Sequence, residues 1–251
     1  MRIKIFSPGD LTNNLGKTQI KGKEGTNVFE FEVIDELMLR ATCIDGGGCI
    51  YTKAGAMIAH QGNNKFDKVL LGPEGNAVKA LFGQVARRLT GENLPLMKCT
   101  SGKGARQFYA DSARHVVVIT LAQGQRLMVE SENLLAFTDS CEYKSKFFGK
   151  GIAAQKGLFT TVLRGREAGA QVAVLSDGNP LILDSPCCVD PDALVAWDGA
   201  DPQFKLDVSF KNLLGKMGAS GESYQMEWSQ PGTQVIIQPS ERKSGIKLAI
   251  D

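Results

Sequence analysis

Met57-Ile58-Ala59-His60 is written again as Leu134-Leu135-Ala136-Phe137 and a third time as Leu194-Val195-Ala196-Trp197: two large apolar residues, an alanine, then a flat ring. The match extends on both sides. Val129-Glu130-Ser131-Glu132 aligns without a gap on Val189-Asp190-Pro191-Asp192, each leading into its copy of the signature, and Lys65-Phe66 falls where Glu142-Tyr143 falls. Self-similarity of this kind means one small unit used several times, because such a unit cannot bury its apolar face alone. The copies divide the chain into a first β repeat over 1–90, a second over 91–150, and a third with a closing hairpin over 151–251.

The stretches between the signatures read as strands. Val28-Phe29-Glu30-Phe31-Glu32-Val33-Ile34 alternates strictly, the period of a strand with one buried face. Leu37 to Cys43 reads as another strand, Asp45-Gly46-Gly47-Gly48 as a turn, and Cys49 to Ala54 as its hairpin partner. Val116-Val117-Val118-Ile119-Thr120-Leu121 is a short apolar run of β-branched residues and so a buried strand. Leu158 to Leu163, Gln171 to Leu175 and Leu181 to Leu183 continue the pattern. The period changes once, over Gly75 to Leu89, where Val78, Leu81, Phe82, Val85 and Leu89 recur at helical spacing. Tyr224 to Gln238, carrying Trp228 and Val235-Ile236-Ile237, reads as a closing hairpin with an apolar surface.

Composition narrows the class. A chain of 251 residues with 43% hydrophobic content has enough apolar side chains for a large core, which excludes a disordered chain. Lys+Arg 29 against Asp+Glu 27 leaves a formal charge of +2, unlike a dedicated polyanion binder. Twenty-eight glycines suit many tight turns. No hydrophobic run approaches the length of a membrane span, and the opening Met1 to Pro8 has the pattern of neither a secretory signal nor a transit peptide. The six cysteines are irregularly spaced, with Cys187 and Cys188 adjacent, so reduced thiols in a cytoplasmic protein are expected.

Tyr51-Thr52-Lys53-Ala54-Gly55-Ala56-Met57, Leu134-Leu135-Ala136-Phe137, Gly221-Glu222 and Pro231 to Pro239 resemble the altered-inheritance-of-mitochondria twenty-four family. The resemblance runs from about Phe29 to Pro239 with its motifs in order. It implies the fold of the trp RNA-binding attenuation protein, a double-stranded β-helix or β-sandwich. Mitochondrial members of the family are linked to inner-membrane organisation. The family more often shows Tyr where this chain has His60.

Few residues suggest chemistry. The repeat partners of His60 are Phe137 and Trp197, so its position asks for a ring to pack and not for a proton carrier. His115 has no partner nearby in sequence. With only these two histidines and no His-x-His or His-x-Asp/Glu pair, the iron site of double-stranded β-helix enzymes has no counterpart. Cys43 and Cys49 flank the glycine turn and could face one another, but no Cys-x-x-Cys pair supports zinc, and buried apolar packing is the favoured role. There is no Gly-x-Ser-x-Gly elbow. Lys144, Lys146 and Lys150 cluster with Tyr143, Phe147 and Phe148, which is the material of a single-stranded nucleic-acid contact. A solvated edge strand protected by lysines explains the same pattern and is favoured.

The expectation is an all-β chain of double-stranded β-helix or β-sandwich units in three internal repeats, arranged about a pseudo-threefold axis, with one short helix. The function expected is a non-catalytic homo-oligomeric scaffold or binding module with no cofactor, metal or membrane span. The alternative is an RNA- or small-ligand-binding protein.

Overall fold

The computed structural model describes residues 4–5, 28–69, 96–148, 158–206 and 224–241, nearly all of them in strands and tight turns. After β1 (Lys4–Ile5) a first group contains β2 (Phe29–Ile34), β3 (Met38–Cys43), β4 (Cys49–Lys53), β5 (Met57–Gln61), β6 (Asn64–Val69), β7 (Leu96–Ser101) and β8 (Arg106–Tyr109). A second contains β9 (His115–Leu121), β10 (Arg126–Glu130), β11 (Leu134–Thr138), β12 (Cys141–Phe148), β13 (Leu158–Gly165) and β14 (Ala170–Ser176). A third contains β15 (Leu181–Asp184), β16 (Cys187–Val189), β17 (Leu194–Asp198), β18 (Gln203–Leu206), β19 (Tyr224–Trp228) and β20 (Gln234–Ile237). The gap-free match before the signatures becomes a matched pair of single-turn 310 helices, Ser131–Asn133 and Pro191–Ala193.

These strands form four antiparallel sheets. Sheet I is β2-β3-β8-β5, sheet II is β1-β9-β14-β11-β4-β7-β6, sheet III is β12-β13-β10-β17-β20-β15, and sheet IV is β16-β19-β18. Three cores lie between successive sheets. Phe29, Phe31, Leu39 and Tyr109 of sheet I meet Ile50, Val116, Val118 and Leu175 of sheet II. Val117, Ile119, Phe137 and Val172 of sheet II meet Leu127, Val129, Leu163 and Ile236 of sheet III. Met128, Leu194, Trp197 and Val235 of sheet III meet Val189, Met226 and Trp228 of sheet IV.

This layering explains the apolar run Val116 to Leu121. In β9 the even-numbered valines serve one core and Val117, Ile119 and Leu121 serve the next, so neither face of the strand can be polar. By contrast β2 lies in an outer sheet, with Phe29 and Phe31 buried and Glu30 and Glu32 exposed, as its strict alternation requires.

Each signature strand has the same irregularity. The register slips between Met57 and Ala59, between Leu134 and Ala136, and between Leu194 and Ala196. The second signature residue is therefore an extra residue, a β-bulge, and the bulge and the alanine share one face. Leu135 and Ala136 both enter the core toward sheet I, and Val195 and Ala196 both enter the core between sheets II and III. The chain then leaves its sheet at a corner. Gly62 (φ +80°) and Gly199 (φ +73°) stand at the same place after the first and third signatures, and a side chain at Gly199 would meet Thr233 Oγ1 at 2.7 Å.

Local pairings expected from sequence differ in two places. Leu37 to Cys43 and Cys49 to Ala54 do not form a hairpin: β3 pairs with β2 and β8, whereas β4 pairs with β11 and β7 in another sheet. Tyr224 to Gln238 is not a closing hairpin either, because β19 joins sheet IV and β20 joins sheet III. Its apolar surface is internal, with Trp228, Val235 and Ile236 buried. In both cases a turn-like sequence joins two layers instead of two neighbours. The helix expected over Gly75 to Leu89 lies outside the described residues.

Candidate functional site

The signature strands are where one group of strands meets the next. β11 pairs with β4 of the first group in the register Ala136↔Thr52, Phe137↔Tyr51, Thr138↔Ile50. β17 pairs with β10 of the second group as Ala196↔Val129, Trp197↔Met128, Asp198↔Leu127. Thr52 and Val129 each stand five residues before their own signature, so the two junctions have one register. The flat ring is the central residue of each. Phe137 stacks on Tyr51 (centroids 5.2 Å apart, planes at 18°) and on Tyr143 (5.5 Å, 11°), and Trp197 lies edge-on to Trp228 at 5.8 Å. Both rings are fully buried. Such contacts contribute about 0.5–1.5 kcal/mol beyond the burial itself.

His60 occupies the same place in β5 but not the same surroundings. It is exposed, with Phe66 edge-on at 5.2 Å as its ring contact. The cause is position: among the described residues β5 is the edge of sheet I and pairs with β8 alone, whereas β11 and β17 are each flanked on both sides. In sheet IV the edge is β16. It precedes the third signature as β4 and β10 precede the first two, yet carries no signature strand. Two such junctions are present among the described residues. The junction partners Tyr51 and Met128 were legible, because each stands six residues before a signature, but the sequence reading did not single them out.

The candidate nucleic-acid residues lie on β12, the edge of sheet III. Tyr143 is half-buried against the central core and stacked on Phe137. Lys144 is exposed and its Nζ lies 2.7 Å from Glu142 Oε1. Lys146 is on the same strand, paired across to Thr160, and Lys150 lies outside the described residues. The ring is therefore packed while the lysine faces solvent.

Gln107, the ladder partner of His60, belongs to a largely buried polar network. Tyr109 OH donates to Gln107 Oε1 (2.9 Å), Gln107 Nε2 donates to Asn64 Oδ1 (2.7 Å) and to Ser101 Oγ, and Ser101 Oγ donates to Asn64 Oδ1 (2.6 Å). It fastens β8 of sheet I to β6 and β7 of sheet II, with polar groups satisfied inside the fold.

Three of the thiols, Cys49, Cys99 and Cys141, are quenched by burial. Cys43 is fully buried in sheet I and Cys49 lies in sheet II, so the two sit in different sheets, not across one hairpin. Cys49 Sγ donates to Asp139 Oδ2 at 3.5 Å, and burial, helped by that carboxylate, pushes its pKa up to about 11. Burial raises Cys99 to about 11 and Cys141 to about 12. Protonated thiols are poor nucleophiles and poor metal ligands. Among the described residues no group of three or more His, Cys, Asp or Glu side chains is placed to hold a metal ion, and no helix is long and apolar enough to cross a membrane.

A family model described as mitochondrial biogenesis AIM24 matches residues 32–240. No curated protein matches. In fold, the chain is similar to the crystal structure of protein SPYM3_0169 from Streptococcus pyogenes, with a TM-score of 0.62 and 19% identity. The similarity covers 85% of this chain and 93% of that one.

Proposed function

We propose that this chain, which belongs to the mitochondrial biogenesis AIM24 family, is a non-catalytic β scaffold of three tandem units that works as a homo-oligomer in the cytoplasm. We draw the units at residues 28–109, 115–176 and 181–237, one signature strand in each, in place of the 1–90, 91–150 and 151–251 expected from sequence. The observation that carries the reading is the repeated junction: two signature strands, each bulged at its second residue, lie against the preceding unit in one register. The ring at each junction is consumed by packing, and burial holds the Cys99 and Cys141 thiols protonated, so these groups serve cohesion and not turnover. Six free cysteines suit a reducing compartment.

Units that join by strand addition leave strand edges at both ends, and an exposed edge is a template for another strand. Sedimentation equilibrium at micromolar concentration tests the reading. Multiples of the 27.1 kDa chain are expected. A single species at that mass would sink it.

A further inference from the structure

We infer that the third junction of this fold forms between molecules: the free edge of β5 in one copy pairs antiparallel with the free edge of β16 in the next, in the register Ala59↔Val189, His60↔Cys188, Gln61↔Cys187. The inference rests on the scaffold reading and deepens it by naming the surface, the register and the occupant, a second copy of this chain.

Strand order carries the argument. Sheet II is the half β6-β7-β4 joined to the half β11-β14-β9-β1, and sheet III is β12-β13-β10 joined to β17-β20-β15. In each, the strand before one signature lies against the signature strand of the next unit. The remaining strands are sheet IV, β18-β19-β16, and sheet I, β5-β8-β3-β2. Laid end to end through β16 and β5 they give β18-β19-β16-β5-β8-β3-β2, which matches the seven strands of sheet II position by position. Sheet III matches the first six positions, with β15 standing where β9 and β3 stand.

The register follows from the two junctions already present. Thr52 lies opposite Ala136 and Val129 opposite Ala196, each five residues ahead of its own signature. Val189 stands five residues ahead of Leu194, and the third signature alanine is Ala59. Both existing junctions consist of three residue pairs, and β16 is three residues long. Accessibility agrees, since Ala59, His60, Gln61 and Cys188 are exposed. Within one chain no backbone hydrogen bond joins β5 to β16 among the described residues. An interface made from two different edges is heterologous, so it propagates head to tail and ends only if the rotation closes into a ring.

Disulfide trapping tests it. A chain carrying His60→Cys and Cys188→Ser is mixed with the unaltered chain and oxidised with diamide, and links are read by non-reducing electrophoresis and peptide mass spectrometry. The expected product joins Cys at 60 of one chain to Cys188 of the other, with at least tenfold more yield than from Ile58→Cys/Cys188→Ser, whose thiol is on the bulge and off the register. Equal yields from the two variants, or oligomers in sedimentation with no 60–188 link, would overturn the junction and leave the scaffold reading standing. A 60–188 link within a monomer of the single variant His60→Cys would replace it by closure inside one chain. A monodisperse monomer would remove both proposals.

Discussion

The same four-residue signature has opposite fates in β5 and in β17. Trp197 of β17 is fully enclosed, with Met128 beside it and Trp228 across the core, whereas His60 of β5 faces water beside Phe66. The residues across the ladder differ in kind too: Phe137 faces Val172 and Trp197 faces Val235, but His60 faces Gln107. The difference teaches that the signature is a docking element, apolar in full only where a neighbouring unit covers it. In β5, at a sheet edge, a polar ring is paired across the ladder with a member of a polar network.

Ring truncation is the harshest test of this contrast. Trp197→Ala or Phe137→Ala is expected to cost about 3–5 kcal/mol, the range for emptying a large aromatic site in a packed core, measured by urea unfolding. Equal losses from His60→Ala would erase the distinction. The polar network should come next. Gln107→Ala leaves the buried Ser101 and Tyr109 and the part-buried Asn64 short of hydrogen bonds, and about 1–3 kcal/mol should be lost. A neutral result would mean that unit one does not depend on this network.

Asp198 ends the third signature strand where Thr138 ends the second and Gln61 the first. Burial raises its pKa, although its Oδ1 accepts a 2.7 Å hydrogen bond from Gln234 N–H. An acid whose folded pKa is raised adds stability at low pH and loses it as the pH climbs through that pKa. Asp198→Asn, which keeps the acceptor and does not titrate, should therefore gain on the natural chain as pH rises from the ordinary carboxylate range toward neutrality. A gain that grows instead toward acid pH contradicts the assignment. The smallest effect is expected of His60→Tyr, a ring for a ring at an exposed edge, within about 0.5 kcal/mol by thermal denaturation. A larger loss would mean that His60 does something that packing does not explain.

Much of the fold was readable because period reports burial. The alternation from Val28 to Ile34 reads as a strand with one buried face and the unbroken run Val116 to Leu121 as a buried strand, and each is a strand of that kind. Pairing was not readable, because alternation says which way side chains point and is silent on which strand lies alongside. The turn Asp45 to Gly48 invites a hairpin, yet Cys43 and Cys49 end up in different sheets. At the candidate site, the requirement for a ring was legible, but its exposure in β5 was not, since exposure depends on which strands lie beside β5, and among the described residues β8 is its one ladder partner. The basic residues near Tyr143 were visible as composition, while the commitment of that ring to the stack on Phe137 belongs to the tertiary structure alone.

Shared sheets also set an order of events during synthesis. β4 is made early, but its neighbour β11 begins at Leu134 and its other neighbour β7 at Leu96. A nascent chain extruded as far as the first signature thus holds an apolar strand with neither flank available, and it must wait for some eighty further residues to leave the ribosome. The same delay recurs for β10, which needs β17. Non-local pairing of this sort slows folding and prolongs exposure of sticky edges. A translational stall between the second and third signatures would accordingly strand the chain in its most aggregation-prone form, with β10 finished on one side only.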